Sequence, residues 1–124
     1  MNKRQLQKQF TREKIIAAAK EIFIEKGIIN TATSQIAEAA GIAHGTLFLH
    51  FPSKDALVIE LLDVELLKFN SAIKQLIVTT SSIEKVLDQY LLLIIKEEGF
   101  FSTLARELPY YKSELRRKIL FRES

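Results

Sequence analysis

Four side chains able to hydrogen-bond or carry charge, His44, Thr46, His50 and Lys54, stand between apolar residues in the stretch AEAAGIAHGTLFLHFPSKDALV, Ala37 to Val58. Their chemistry is that of contact. An imidazole and a hydroxyl exchange single hydrogen bonds, and an ammonium pairs with an anion. No nucleophile–base pair and no carboxylate pair stands at a convincing spacing, so an enzyme has no residues to rest on. A metal site lacks ligands too: the chain has two His, no Cys, and no acidic residue spaced to complete a set with them. No cofactor is implied. What remains is a small polar cluster on a short helix, with Gly45 inside it so that a partner can approach closely.

The elements that must hold this cluster are helical. Only four Gly and two Pro interrupt the chain, and no alternating apolar and polar run resembles a strand. Periodicity predicts helix 1 from about Arg12 to Lys26, with Thr11 as its cap, Glu13 in its first turn and Gly27 closing it. Ile15, Ala19, Ile22 and Phe23 make its apolar stripe. Helix 2 spans about Ser34 to Ala40, is capped by one of Thr31, Thr33 or Ser34, and turns Ile36, Ala37 and Ala40 inward. Gly41 bends the chain and Ile42 anchors it. Helix 3, about His44 to Phe51, directs Leu47, Phe48 and Phe51 to the core. Pro52 ends it, and Ser53 caps a long helix 4 from Lys54 to about Leu76. The box Ser81-Ser82-Ile83-Glu84 starts helix 5, which runs to about Glu98. Its apolar run, Tyr90 to Ile95, predicts burial nearly all round. A short helix precedes Pro109 and a last one follows from Tyr110.

Composition bounds the setting. At 124 residues the chain is one domain, or a small domain with part of another, and it has no cysteine for a disulfide staple. Its start is polar and basic, without the apolar core of a secretory signal or membrane anchor. The longest apolar run falls far short of the roughly 20 residues a spanning helix needs. The expected setting is therefore the cytoplasm, without a membrane partner. Charge is unevenly placed. Residues 1–54 carry eight Lys and Arg against four Asp and Glu, a net of +4, whereas residues 55–124 carry ten against eleven. The N-terminal part is the one suited to a polyanion. Lys3, Arg4 and Lys8 read either as an arm that follows a nucleic-acid backbone or as a disordered tail, the tail being the commoner outcome.

Helix, tight turn and helix over Ser34 to Phe51 fit the helix-turn-helix plan, in which the second helix enters the DNA major groove. Lys54 stands at the start of helix 4, where free N–H groups favour a phosphate. The segment TREKIIAAAKEIFIEKGIINTATSQIAEAAGIAHGTLFLHFPSKDALV resembles the DNA-binding domain of the TetR/AcrR family of bacterial transcriptional regulators. The likeness runs from Thr11 to about Leu61, and I-A-x-x-A-G, G-T-L, H-F and S-K are its most specific parts.

The resemblance implies a regulator, most often a repressor, that binds an inverted-repeat operator in double-stranded DNA as a homodimer and answers to a small-molecule effector. By position, Thr46 and His50 match DNA contacts, Lys54 a phosphate-binding lysine, and Thr31 and Thr33 backbone contacts at the entry to helix 2. His44 and Gly45 occupy positions that often face bases. Ser34, Phe48 and Leu49 complete the expected DNA-facing set. His50 keeps an alternative role, as a core-edge residue that orients its neighbours. Phe48 stands where the family usually has Tyr, Ala43 where Ser often caps the recognition helix, and His44 where Lys is common.

The expected fold is all-α. Residues 1–10 form a polar basic arm and 11–54 a three-helix DNA-binding domain. Residues 55–124 supply the long connecting helix 4 and an incomplete helical effector-binding and dimerisation domain. Phe69, Tyr90, Ile94, Phe100, Phe101, Leu104, Tyr110 and Tyr111 are the candidates to line an effector pocket, with ordinary core as the plainer reading of aromatics at helical spacing. A single helix after Pro109 suggests a fragment of a longer regulator or a naturally shortened one. A shortened regulator could instead pair with a full-length relative and hold it off DNA, which Ala43 and Phe48 would slightly favour.

Overall fold

The computed structural model describes residues 2–79, 82–96 and 98–121, and the side chains of all of these except 93–96 and 98. Among the described residues the fold is all-α, with no strand. The helices are α1 (Lys3–Lys26), α2 (Thr33–Ala40), α3 (His44–His50), α4 (Lys54–Thr79), α5 (Ile83–Lys96), α6 (Glu98–Glu107) and α7 (Ser113–Leu120). A single 3-10 turn, Leu108–Tyr110, joins α6 to the loop before α7.

The first helix begins at Lys3 and not at Arg12. Asn2 caps it: its side-chain oxygen accepts the Gln5 N–H at 2.8 Å, and the Gln5 oxygen accepts the Asn2 N–H at 3.1 Å. Thr11, expected as the cap, lies inside the helix and donates to the Gln7 carbonyl at 3.0 Å. Lys3, Arg4 and Lys8 are therefore helical, not a disordered tail.

Ile15, Ala19 and Phe23 of α1 are buried against Ile36, Ala37 and Ala40 of α2, Leu47 of α3, and Leu57, Val58 and Leu61 of α4. Each large side chain buried this way contributes about 1.5–3 kcal/mol before the entropy cost of ordering it. The same cluster continues through Phe100 and Leu104 of α6 to Tyr111 and Leu115. The helix-turn-helix and the C-terminal helices thus share one core.

Two helix ends aim the short α3. At the end of α2, Gly41 takes a left-handed conformation (φ 71°). Its N–H donates to Glu38 and the Ile42 N–H donates to Ala37, both at 3.0 Å, satisfying two carbonyls that the helix leaves free. At the start of α2, none of Thr31, Thr33 or Ser34 is the cap. Ala32 holds that place, and the Gln35 side chain accepts the Ala32 N–H at 2.9 Å. α3 likewise starts from Ala43 with no side-chain cap, as its sequence implies.

The expected burial of α5 fails. Leu91 and Leu92 of α5 are 56% and 58% exposed, because no described residue covers that side of the helix. Ser81 of the expected capping box, and the side chains of Leu93 to Ile95, lie outside the described residues.

Candidate nucleic-acid interface

α3 divides cleanly by burial. Leu47 and the flanking Phe51 are buried in the core, while His44, Gly45 and Leu49 face outward, Leu49 at 85% exposure. Thr46 and His50 are half-buried at the edge. Phe48 departs from its expected inward packing. It is 42% exposed and leans on the His44 ring, with centroids 4.7 Å apart. The seven-residue helix has room for one inward face only, and Leu47 and Phe51 fill it. A side chain at Gly45 would meet no atom within 4 Å, so the glycine leaves open surface that internal packing does not require.

The entry to α2 joins this surface through a contact the sequence did not reveal. The Thr33 hydroxyl and His44 Nε2 stand 2.9 Å apart, pinning the first turns of α2 and α3 together. Ser34 is exposed beside it. Thr31 is different. It is 2% exposed and its hydroxyl donates to the Gly27 carbonyl at 2.7 Å, so its side chain is a buried strut and offers nothing to a backbone phosphate.

Lys54 is half-buried at the first turn of α4. Its ammonium donates to the Ile28 carbonyl at 2.9 Å and the Thr31 carbonyl at 3.1 Å. Two of its three N–H bonds therefore hold the α1–α2 loop, leaving one for an anion. Burial lowers its pKa, against the opposing pull of Asp55 and Glu107.

His50 stands among cations. Burial lowers its pKa most, and the charges of Arg12 and Lys8 lower it further, so the neutral imidazole is favoured. Its Nδ1 is buried without a hydrogen-bond partner among the described residues. Arg12 stacks over the Phe51 ring at 4.5 Å and pairs with Glu60 at 3.0 Å, which ties α1, the end of α3 and α4 together. Nothing in the spacing of Arg12 singles it out.

Of the effector-pocket candidates, four come together where α4, α5 and α6 meet. Phe69 makes edge contacts to Tyr90 at 6.1 Å and Phe101 at 6.3 Å, and Phe101 lies 5.9 Å from Phe100. Leu104 and Tyr111 belong to the core, and Tyr110 is 79% exposed, away from the cluster. The Ile94 side chain lies outside the described residues. A cleft of about 1000 Å³ runs elsewhere, along α1 and α4 over Ile16, Ile24 and Val64, and touches none of the eight. Among the described residues no cluster of three or more His, Asp or Glu could hold a metal ion, and no helix is long and apolar enough to cross a membrane.

The family described as "Bacterial regulatory proteins, tetR family" matches residues 15–61, which carry the second half of α1 to the first part of α4. Through this segment the chain is similar to the regulators of the tetR family. The HTH-type transcriptional regulator TtgR of Pseudomonas putida is 44% identical over 55 residues, 44% of this chain and 26% of that protein. The fatty acid metabolism regulator protein of Bacillus subtilis is 29% identical over 109 residues, 85% of this chain and 56% of the relative. Among solved structures, the fatty acid degradation regulator FadR from Bacillus halodurans superposes with a TM-score of 0.70 at 29% identity, over 87% of this chain and 57% of that one. The chain thus spans little more than half the length of even these longer matches.

Proposed function

We propose that this chain is a DNA-binding transcriptional regulator of the TetR family, and not an enzyme, that represses transcription by binding an inverted-repeat operator as a homodimer. In this reading residues 11–54 bind DNA, residues 1–10 extend that surface, and residues 55–124 serve effector binding and dimerisation. The observation that carries it is the split of α3: Leu47 and Phe51 are buried, while His44, Gly45 and Leu49 are presented outward with Thr46 and His50 at the edge. A helix so anchored can lie in a major groove and reach base edges with short side chains. Thr33, Ser34 and the free N–H of Lys54 stand beside it for the phosphates.

The effector is a small, largely apolar molecule, received near Phe69, Tyr90 and Phe101. Two relatives whose likeness extends beyond the DNA-binding domain are named for fatty-acid metabolism and fatty-acid degradation, which supports an acyl-chain compound.

Mobility shift of the full chain on the DNA upstream of its own gene, and on duplexes selected from a random pool, tests the reading. A selected sequence with two-fold symmetry is the expected result, and release by an acyl compound supports the effector class. A chain that selects no duplex, yet co-purifies with a longer family member and removes it from DNA, is the antagonist instead.

A further inference from the structure

Glu107, in the last turn of α6, makes contacts that the DNA-binding reading does not use. One carboxylate oxygen accepts the Ile28 N–H at 2.8 Å, the Ile29 N–H at 3.2 Å and the Tyr111 hydroxyl at 3.1 Å. An acid at the C-terminal end of a helix faces the negative end of the helix dipole, so the position is unfavourable unless donors from elsewhere offset it. Here the α1–α2 loop supplies them. Gly27 adopts φ 86°, and successive N–H groups then point at one place, the kind of concavity that holds an anion. A Cβ at Gly27 would collide with the Glu107 carboxylate, so the residue lets the acid come close. Burial, with the Glu107 charge and hydrogen bond, pushes Tyr111 well above its usual range, so its hydroxyl remains a donor to the carboxylate.

The same loop is tied on its other side to the DNA-facing surface. The Ile28 and Thr31 carbonyls accept from Lys54, Thr31 bonds back to Gly27, and Thr33 at the loop's end meets His44 of α3. The Ile28 residue alone thus joins Glu107 through its N–H to Lys54 through its carbonyl.

We propose that Glu107 is a positioning residue for DNA binding: it sets the α1–α2 loop, and through it Lys54, Thr33 and His44, without touching DNA. This rests on the DNA-binding reading above.

The test uses the full chain as wild type, Glu107→Ala and Glu107→Gln, on a duplex selected from a random pool by the wild type. DNA affinity is read by fluorescence anisotropy, folding by thermal melting, and the loop by hydrogen exchange of the Ile28 and Ile29 amides. Glu107→Ala is expected to lose protection at both amides and at least fivefold in affinity at a temperature where it remains folded. Glu107→Gln keeps the shape and one acceptor, so it should restore part of both, and it carries the test if the alanine variant does not fold. Loss of amide protection with unchanged affinity overturns the proposal, as does unchanged protection. A wild type that binds no duplex overturns the DNA-binding reading and the proposal with it, whereas a binding wild type with indifferent variants overturns the proposal alone.

Discussion

At the scale of single residues, the surface of α3 is built from side chains whose packing and hydrogen bonding oppose one another. Phe48 is half-exposed and braced by His44, so part of its ring is open to whatever α3 meets. Phe48→Tyr is expected to strengthen DNA binding roughly two- to twelvefold, the effect of one neutral hydrogen bond of about 0.5–1.5 kcal/mol, without altering sequence preference. Anisotropy on a panel of operator variants would show it. An unchanged affinity with an intact fold would mean that the ring edge meets no phosphate. His50 titrates in the opposite sense to a histidine that gains an acidic partner. Its pKa is held below the 6.5 of a free side chain, so as pH falls through that value the unfolded chain takes up the proton before the folded one. Stability is therefore lost on acidification until the folded-state value is passed. Thermal melts between neutral and mildly acid pH should fall less steeply for His50→Gln than for the wild type. Equal slopes would mean that His50 contributes nothing to the acid limb.

At the scale of elements, what the sequence made legible was whatever ends a helix locally. Gly41 and Pro52 bound α3 on either side, and the apolar spacing of Ile36, Ala37 and Leu47 identified the buried faces correctly. The start of α1 was hidden because the Asn2 and Gln5 box sits in a polar stretch with no apolar stripe to announce a helix. The exposure of Leu91 and Leu92 was hidden for the opposite reason: an apolar run shows what ought to be covered, not whether anything covers it. In the candidate site, the exposed face of α3 could be read from residue types. The Thr33–His44 pair and the hold of Glu107 on a loop 79 positions away could not, since both depend on how separate segments come together. Ala43 is the one weak end that sequence and structure both expose. It stands in extended conformation at the start of α3 and offers no side-chain acceptor. Ala43→Ser should stabilise the fold by about 0.5–2 kcal/mol, raising the melting temperature by a few degrees and DNA affinity with it. A more stable protein with unchanged affinity would show that the start of α3 is already ordered before DNA arrives.

At the scale of the whole molecule, the uneven charge and the uneven burial point to different partners. The N-terminal third to half of the chain carries the basic excess, a net of +4 over residues 1–54, and presents polar groups among scattered apolar ones such as Leu49. The stretch from α4 to α5 exposes apolar side chains without that basic excess, among them Leu67, Ile77, Val78, Leu87 and Leu91. Apolar exposure on this scale favours association, and two copies joined through residues 55–124 would offer two α3 helices to one duplex. Binding would then be linked. The second α3 meets its half-site at a high effective concentration once the first is seated, so a full inverted repeat should bind far more tightly than either half alone. Each copy also displaces its own counterions, and the slope of log K against log salt should be about twice as steep for the full repeat as for one half-site bound by one copy. Anisotropy on full-repeat and half-site duplexes across a salt series, with sedimentation equilibrium counting the copies on each, measures both quantities. Two copies that fill the repeat independently, each with half-site affinity, would overturn the homodimer while leaving DNA binding by α3 intact.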